Sequence, residues 1–163
     1  MNAHIIIKLV LLLVMTNGAP VIARLLLRQR FNQPLDCNLQ FIDGRPLLGP
    51  AKTVRGVISA IFLTALTATL FDLSPVQGSL FALLGMSGDL VSSFIKRRLG
   101  ITSSRSAPLL DQLPETLLPL WVMHPVLEET LQEACVAILV FVVIDWFVSR
   151  LRETVNTDAA DAG

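Results

Sequence analysis

Five apolar stretches, separated by short segments that hold nearly all the charge, constrain this chain more than any other feature. They run from about Ile5 to Ala23, Val57 to Phe71, Val76 to Ile95, Leu117 to Leu127 and Cys135 to Val148, interrupted by Lys8, Asp89, Pro119, Pro125 and Asp145. The long ones approach the ~20 residues that a helix needs to cross ~30 Å of hydrocarbon. Backbone amides in lipid must be paired within their own segment, which selects helices, and the alternating segments of ~10 residues that build a membrane barrel are missing. Composition agrees. The chain is 53% apolar and 16% charged, where a soluble domain carries ~25% charged residues. The expected fold is all-α: a polytopic integral membrane protein with about five transmembrane helices, forming a single membrane domain over residues 1–163.

Charge placement sets the expected topology. Twelve of the 13 Lys and Arg fall in three groups: Arg24, Arg28, Arg30, Arg45, Lys52 and Arg55; Lys96, Arg97, Arg98 and Arg105; Arg150 and Arg152. The intervening segments Asp72–Pro75 and His124–Glu133 contain none. The positive-inside rule then puts the loops at about 24–55 and 96–113 in the cytoplasm, the N-terminus outside and the C-terminus inside, in an integral cytoplasmic (inner or plasma) membrane. Parity requires the short fourth stretch to cross as well. Cys37 and Cys135 would lie on opposite sides and stay unpaired. A second reading of the first stretch is a signal-peptide core ending at Asn17-Gly18-Ala19. Pro20 and the basic cluster after it argue against cleavage there.

Several function classes drop out early. A net charge of zero gives no basic bias toward nucleic acid. Two cysteines build neither a disulfide framework nor a zinc site. His4 and His124 lack metal-ligand spacing, and no Ser-His-Asp or cysteine nucleophile setting is evident. Glu128, Glu129 and Glu133 read as a solvated outer loop, and Asp145 as an interface residue reaching Arg150.

The remaining polar residues collect at the cytoplasmic ends of the helices. Lys52, Thr53 and Arg55 precede the second helix, whose N-terminus favours an anion, although the glycine spacing is not that of a P-loop. The plainer reading is a basic flanking loop with Thr53 as helix cap. Asp89, Ser93 and Lys96, spaced i, i+4, i+7, share one face of the third helix, with Ser92 near that face. An intramembrane Asp is a functional candidate by default, and a structural ion pair with a neighbouring basic residue is its alternative. Gly85 and Gly88 would let another backbone approach. Asp111, in the following loop, could meet Asp89 at the membrane surface. Two carboxylates beside Lys and Arg suit a magnesium–phosphate site, since Mg²⁺ takes one or two carboxylates plus phosphate oxygens.

These residues carry a family resemblance. Asn17-Gly18-Ala19-Pro20-Val21, Pro34-Leu35-Asp36, Asp43-Gly44-Arg45-Pro46, Lys52-Thr53-Val54-Arg55-Gly56, Gly88-Asp89-Leu90 with Ser93-Phe94-Ile95-Lys96-Arg97-Arg98-Leu99-Gly100, and Leu110-Asp111-Gln112-Leu113 resemble, in order, the CDP-archaeol synthase family of membrane CDP-diglyceride synthases. The resemblance implies a nucleotidyltransferase of phospholipid biosynthesis that joins CTP to a lipid phosphate, phosphatidate-like or archaeal ether-lipid-like, and releases pyrophosphate with Mg²⁺ as cofactor. It implies Asp89 and Asp111 as metal ligands, Lys52, Arg55, Lys96 and Arg97 as phosphate and CTP contacts, and Lys52, Thr53, Ser93 and Lys96 as the catalytic set. Two positions depart from the family pattern. Pro114 stands where a second Asp is usual, with Glu115 beside it, and Val54 stands where Trp is common. Pro114 is expected at the start of the fourth helix, with Glu115 turned away from the direction in which residue 114 points.

The competing reading is a family member that lost turnover and serves as a lipid-binding or scaffold membrane protein. A small transporter would want an inverted repeat, which the sequence lacks. The expected partners are CTP, a lipid phosphate and membrane lipid, with no nucleic acid. The oligomeric state stays open, a homodimer being one option.

Overall fold

The computed structural model describes residues 1–101 and 108–161, so Arg105 lies outside the described residues. Five α-helices follow one another: α1 (Ala3–Leu27), α2 (Val54–Ala68), α3 (Pro75–Arg98), α4 (Pro108–Leu127) and α5 (Leu131–Asp161). A 3₁₀ turn, Thr69–Phe71, extends α2. Ala3–Leu27, Val54–Phe71, Pro75–Arg98 and Leu131–Arg150 are long and apolar enough to cross a membrane. With α4 packed along α3, the chain forms an all-helical, membrane-embedded bundle of five helices.

α3 is the hub, and its glycines explain how. A Cβ at Gly78 would sit 2.5 Å from the Ala68 Cβ of α2, and one at Gly85 would sit 2.8 Å from Thr16 Cγ2 of α1. At Gly88 it would collide with the Pro114 carbonyl of α4 and stand 2.7 Å from the Glu115 amide nitrogen. Three helices therefore close on one because three side chains are missing, the small-residue packing that membrane interiors favour. Thr16 and Thr64, both fully buried, share a hydrogen bond at 3.1 Å between α1 and α2. A core of Leu9, Leu12, Leu13, Phe81, Met123 and Phe141 fills the half away from the basic loops. α1 packs against α2, α3 and α5 as one wall of the bundle. Lys8 is buried, and its ammonium donates to the Leu127 carbonyl at 2.9 Å, where the C-terminal end of α4 favours a cation.

Three expectations change at this level. Asp111 belongs to the first turn of α4, not to a loop, because α4 starts at Pro108 and its positive N-terminal end favours an acidic residue. Pro114 lies inside α4, as do Pro119 and Pro125. Each proline removes an amide donor that would otherwise bond four residues back. The acidic residues at 128–133 are not all solvated either. Glu129 and Glu133 are 4% and 3% exposed. Glu133 accepts from the Thr130 amide at 3.0 Å and from the Asn2 amide at 2.5 Å, fastening the chain's start to α5. Cys37 and Cys135 are both exposed free thiols.

Between α1 and α2, residues 28–53 fold back over the end of the bundle. Asp36 organises this loop: its carboxylate accepts from the amides of Leu48 (2.8 Å), Gly49 (3.0 Å) and Asn38 (3.1 Å). Burial pushes its pKa up, but these amides outweigh burial and hold it below the usual carboxylate range. Gly49 has φ +97°, open to glycine and strained for other residues. The Leu35 amide then grips the Lys52 carbonyl at 2.7 Å. Arg45 donates to the Arg97 and Arg98 carbonyls at the end of α3, and Arg98 returns a bond to the Pro46 carbonyl at 2.6 Å.

The glycine hub gives a direct test. Gly88→Ala should lower stability by about 3 kcal/mol and reduce the Tm in detergent. Gly18→Ala, facing open space, should hold or raise it by up to ~1 kcal/mol.

Candidate active site

At the loop end of the bundle, α1, α3, α4, α5 and the 28–53 loop enclose a cavity of about 420 Å³. Its lining includes Arg24, Lys52, Lys96 and Arg97 together with Asp89, Asp111, Glu115 and Asp145. Four cations and four carboxylates thus share one small space. The structure places six of the eight expected site residues here or in the cavity's wall: Lys52, Asp89, Ser93, Lys96, Arg97 and Asp111.

Two ion pairs organise the centre. Lys52, delivered by the loop, reaches Asp89 of α3 at 2.6 and 2.5 Å to its two carboxylate oxygens. Lys96 of α3, largely buried, reaches Asp111 of α4 at 2.9 Å. The i, i+7 spacing of Asp89 and Lys96 is what sets the two pairs side by side on α3. An ammonium has three donors. Lys52 spends its contacts on one carboxylate and Lys96 on one oxygen, so each retains capacity for a phosphate oxygen. Ser93 is 5% exposed and lies between the pairs on the same face. The Ser92 hydroxyl instead donates to the Asp89 carbonyl at 3.0 Å. Arg97 donates to the Ile101 carbonyl at 2.6 Å, with its Nε buried and unpartnered among the described residues.

The other two expected residues sit elsewhere. Thr53 is the N-cap of α2, its hydroxyl accepting from the Gly56 amide at 3.3 Å. Arg55 is buried, and its fork is spent on protein: Nη1 donates to the Arg28 and Arg30 carbonyls, each at 2.6 Å, and Nη2 to the Asn32 amide oxygen at 2.8 Å. It closes the open carbonyl end of α1. Both line a second cavity, of about 450 Å³, on the far side of the Lys52–Asp89 pair.

Asp145 is the functional candidate that sequence reasoning placed elsewhere, and Glu115, which the sequence left between a helix-start residue and a substitute for the missing Asp, stands in the cavity. Glu115 is 7% exposed, lines the central cavity and has no hydrogen bond or ion pair among the described residues. The reason is the position of Pro114. With the helix beginning at Pro108, residue 114 turns its backbone to Gly88 and residue 115 enters the cavity. Asp145 accepts from the Gln112 side-chain amide at 3.0 Å, bridging α4 to α5 instead of reaching for Arg150, which stacks over Trp146. The usable signal was the cost of an acidic residue in a membrane helix.

Among the described residues no three His, Cys, Asp or Glu stand close enough to form a protein-only metal cage. That fits a cation of the magnesium type, which takes one or two carboxylates and draws its other ligands from water and substrate phosphates. A membrane-embedded bundle whose charged cavity combines carboxylates with lysine and arginine is suited to the chemistry of phosphate esters. Comparison with known proteins makes this specific. A family model described as CarS-like, CDP-archaeol synthase, matches residues 3–152. The CDP-archaeol synthase of Hyperthermus butylicus is 38% identical over 135 residues, 75% of this chain and 77% of that protein. That of Aeropyrum pernix is 39% identical over 113 residues, 66% and 62% of the two chains. A solved structure reported as an intramembrane enzyme for archaeal membrane lipids biosynthesis superposes with a TM-score of 0.74 at 32% identity, covering 89% of this chain and 92% of its own. The chain belongs to the CDP-archaeol synthase family.

Arg55 can be assigned by substitution. Arg55→Lys keeps the charge but cannot reach three acceptors in a plane, so it should lower the Tm by an amount equivalent to about 1–3 kcal/mol. The Michaelis constant for nucleotide should change little.

Proposed function

We propose that this protein transfers the cytidylyl group of CTP to a lipid phosphate of the archaeal ether type, forming CDP-lipid and pyrophosphate. The observation that carries this reading is the paired arrangement Lys52–Asp89 and Lys96–Asp111 inside a membrane-embedded cavity. A phosphate oxygen of the lipid attacks the α-phosphorus of CTP, and the bond from that phosphorus to the bridging oxygen of the β-phosphate breaks. The attacking phosphate is already ionised at neutral pH, so no general base is required. The protein's task is positioning and charge neutralisation. Lys52 and Lys96 steady the phosphates with their ammonium donors. Arg97, at the end of α3, faces the charge that gathers on departing pyrophosphate, and Ser93 offers a hydroxyl between the lysines. Asp89 and Asp111 would hold Mg²⁺, and Glu115 lines the same cavity. When bound, the ion supplies charge neutralisation to the phosphate oxygens. Thr53 serves by fixing the entry of α2, and with it the backbone of Lys52.

The intact pairs favour this reading over a scaffold that has lost turnover. Asp89→Asn and Asp111→Asn should each abolish formation of CDP-lipid from labelled CTP while the protein remains folded in detergent. Near wild-type turnover at saturating magnesium would remove that residue from the metal site. Glu115→Gln should raise the magnesium concentration needed for half-maximal rate. An unchanged magnesium requirement would leave Glu115 a packing residue.

We also propose that the cavity end faces the cytoplasm, where CTP is available, with the N-terminus outside and the C-terminus inside, as the basic clusters indicate. A reporter fused after Gly163 should read cytoplasmic and one near Glu128 external. The opposite pair of readings would invert the topology.

A further inference from the structure

The Lys52–Asp89 pair is a partition with a cavity on each side. Arg24, Lys52, Met86 and Asp89 belong to both linings. The two spaces are nearly equal in size, about 420 and 450 Å³, but differ in charge. The central cavity sets four carboxyl groups, those of Asp89, Asp111, Glu115 and Asp145, beside four cationic side chains. The second has Arg24, Arg28, Lys52 and Arg55 around one carboxylate, Asp89, already bonded to Lys52.

A reaction joining two phosphates needs two phosphate sites, and the charge difference sorts them. A nucleotide triphosphate travelling with a divalent cation needs carboxylates for the cation and cations for the phosphates. A phosphate monoester arriving without metal is a bare dianion that carboxylates would repel. We infer that the second cavity is the subsite for the phosphate head of the acceptor lipid, while the central cavity takes the metal-bound nucleotide. This rests on the cytidylyl-transfer reading above.

Three details support the assignment. Arg55 covers the Arg28 and Arg30 carbonyls just past the end of α1, which would otherwise be open to an arriving anion. Arg24 and Arg28 line this cavity, are exposed and form no ion pair among the described residues, so their donors are uncommitted. Beside the mouth, Val54, Ile58, Phe62 and Leu66 form an exposed row at four-residue spacing along α2. The lipid's chains can lie along it while the head enters between α1 and α2. Attack then occurs through the partition, with the Lys52 ammonium between the two phosphates and the Lys52 and Asp89 side chains parting as both substrates seat.

The test uses the full-length protein in detergent, with CTP, magnesium and a short-chain dialkylglycerol phosphate. Arg28 has φ +48°, so Arg28→Gly removes the charge without backbone strain and Arg28→Lys restores it. Arg28→Gly should weaken equilibrium binding of the lipid phosphate, measured without CTP, about tenfold, as expected for loss of one charged hydrogen bond. It should raise the Michaelis constant for lipid phosphate to a similar extent and leave that for CTP unchanged, with Arg28→Lys recovering most of the loss. The rival entrance is the apolar groove of about 1050 Å³ that Leu117, Trp121 and Ile138 help to line between α4 and α5. If Arg28→Gly leaves lipid-phosphate binding intact while Ile138→Trp weakens it, the assignment is overturned. A rise in the constant for CTP with Arg28→Gly would overturn it as well. Wild-type protein that binds the lipid phosphate through Arg28 yet produces no CDP-lipid would sustain the subsite and defeat the cytidylyl-transfer reading.

Discussion

The crossing of α3 and α4 at Gly88 is the contact on which the active site depends. In lipid, burial of apolar surface does little to hold helices together, and close backbone approach takes over that work. Here the approach is possible because residue 88 has no side chain. It fixes the height of α4 against α3, and so brings Asp111 level with Lys96, and Glu115 into the cavity beside Asp89. Sliding α4 by one turn, ~5.4 Å, would undo the Lys96–Asp111 pair.

The second constraint comes from outside the membrane layer. Lys52 belongs to no helix, yet its ammonium must meet Asp89 on α3. The 28–53 loop achieves this by anchoring at both ends. Asp36 binds the turn at Gly49, and Arg45 and Arg98 knot the loop's tip to the end of α3. Arg55 ties the start of α2 to the end of α1. Charged side chains are thus divided between architecture and chemistry. At the level of sequence the two kinds look alike.

That division explains what could be read in advance. Long apolar runs indicated the number of helices, because hydrocarbon thickness leaves few alternatives. Thr53 as a cap and Gly85 and Gly88 as close-packing sites followed from local chemistry. The start of α4 did not, because Pro114 reads as a first-turn residue whereas the helix already begins at Pro108. Asp145 was assigned to the interface by its nearness to Arg150 in sequence, whereas its partner, Gln112, is 33 residues away. The use of Arg55 was equally hidden, since carbonyls at the end of a preceding helix leave no mark in the residues around it.

At the tightest crossing, what Gly88 meets at residue 114 is a carbonyl group, and at residue 115 an amide nitrogen. Every amino acid supplies a carbonyl. The closest contact between α3 and α4 is therefore made by main-chain atoms, whatever side chain stands at position 114. Fold and chemistry are decoupled at this one position: the scaffold is inherited through the main chain, while the ligand set of the cavity remains free to be rewritten.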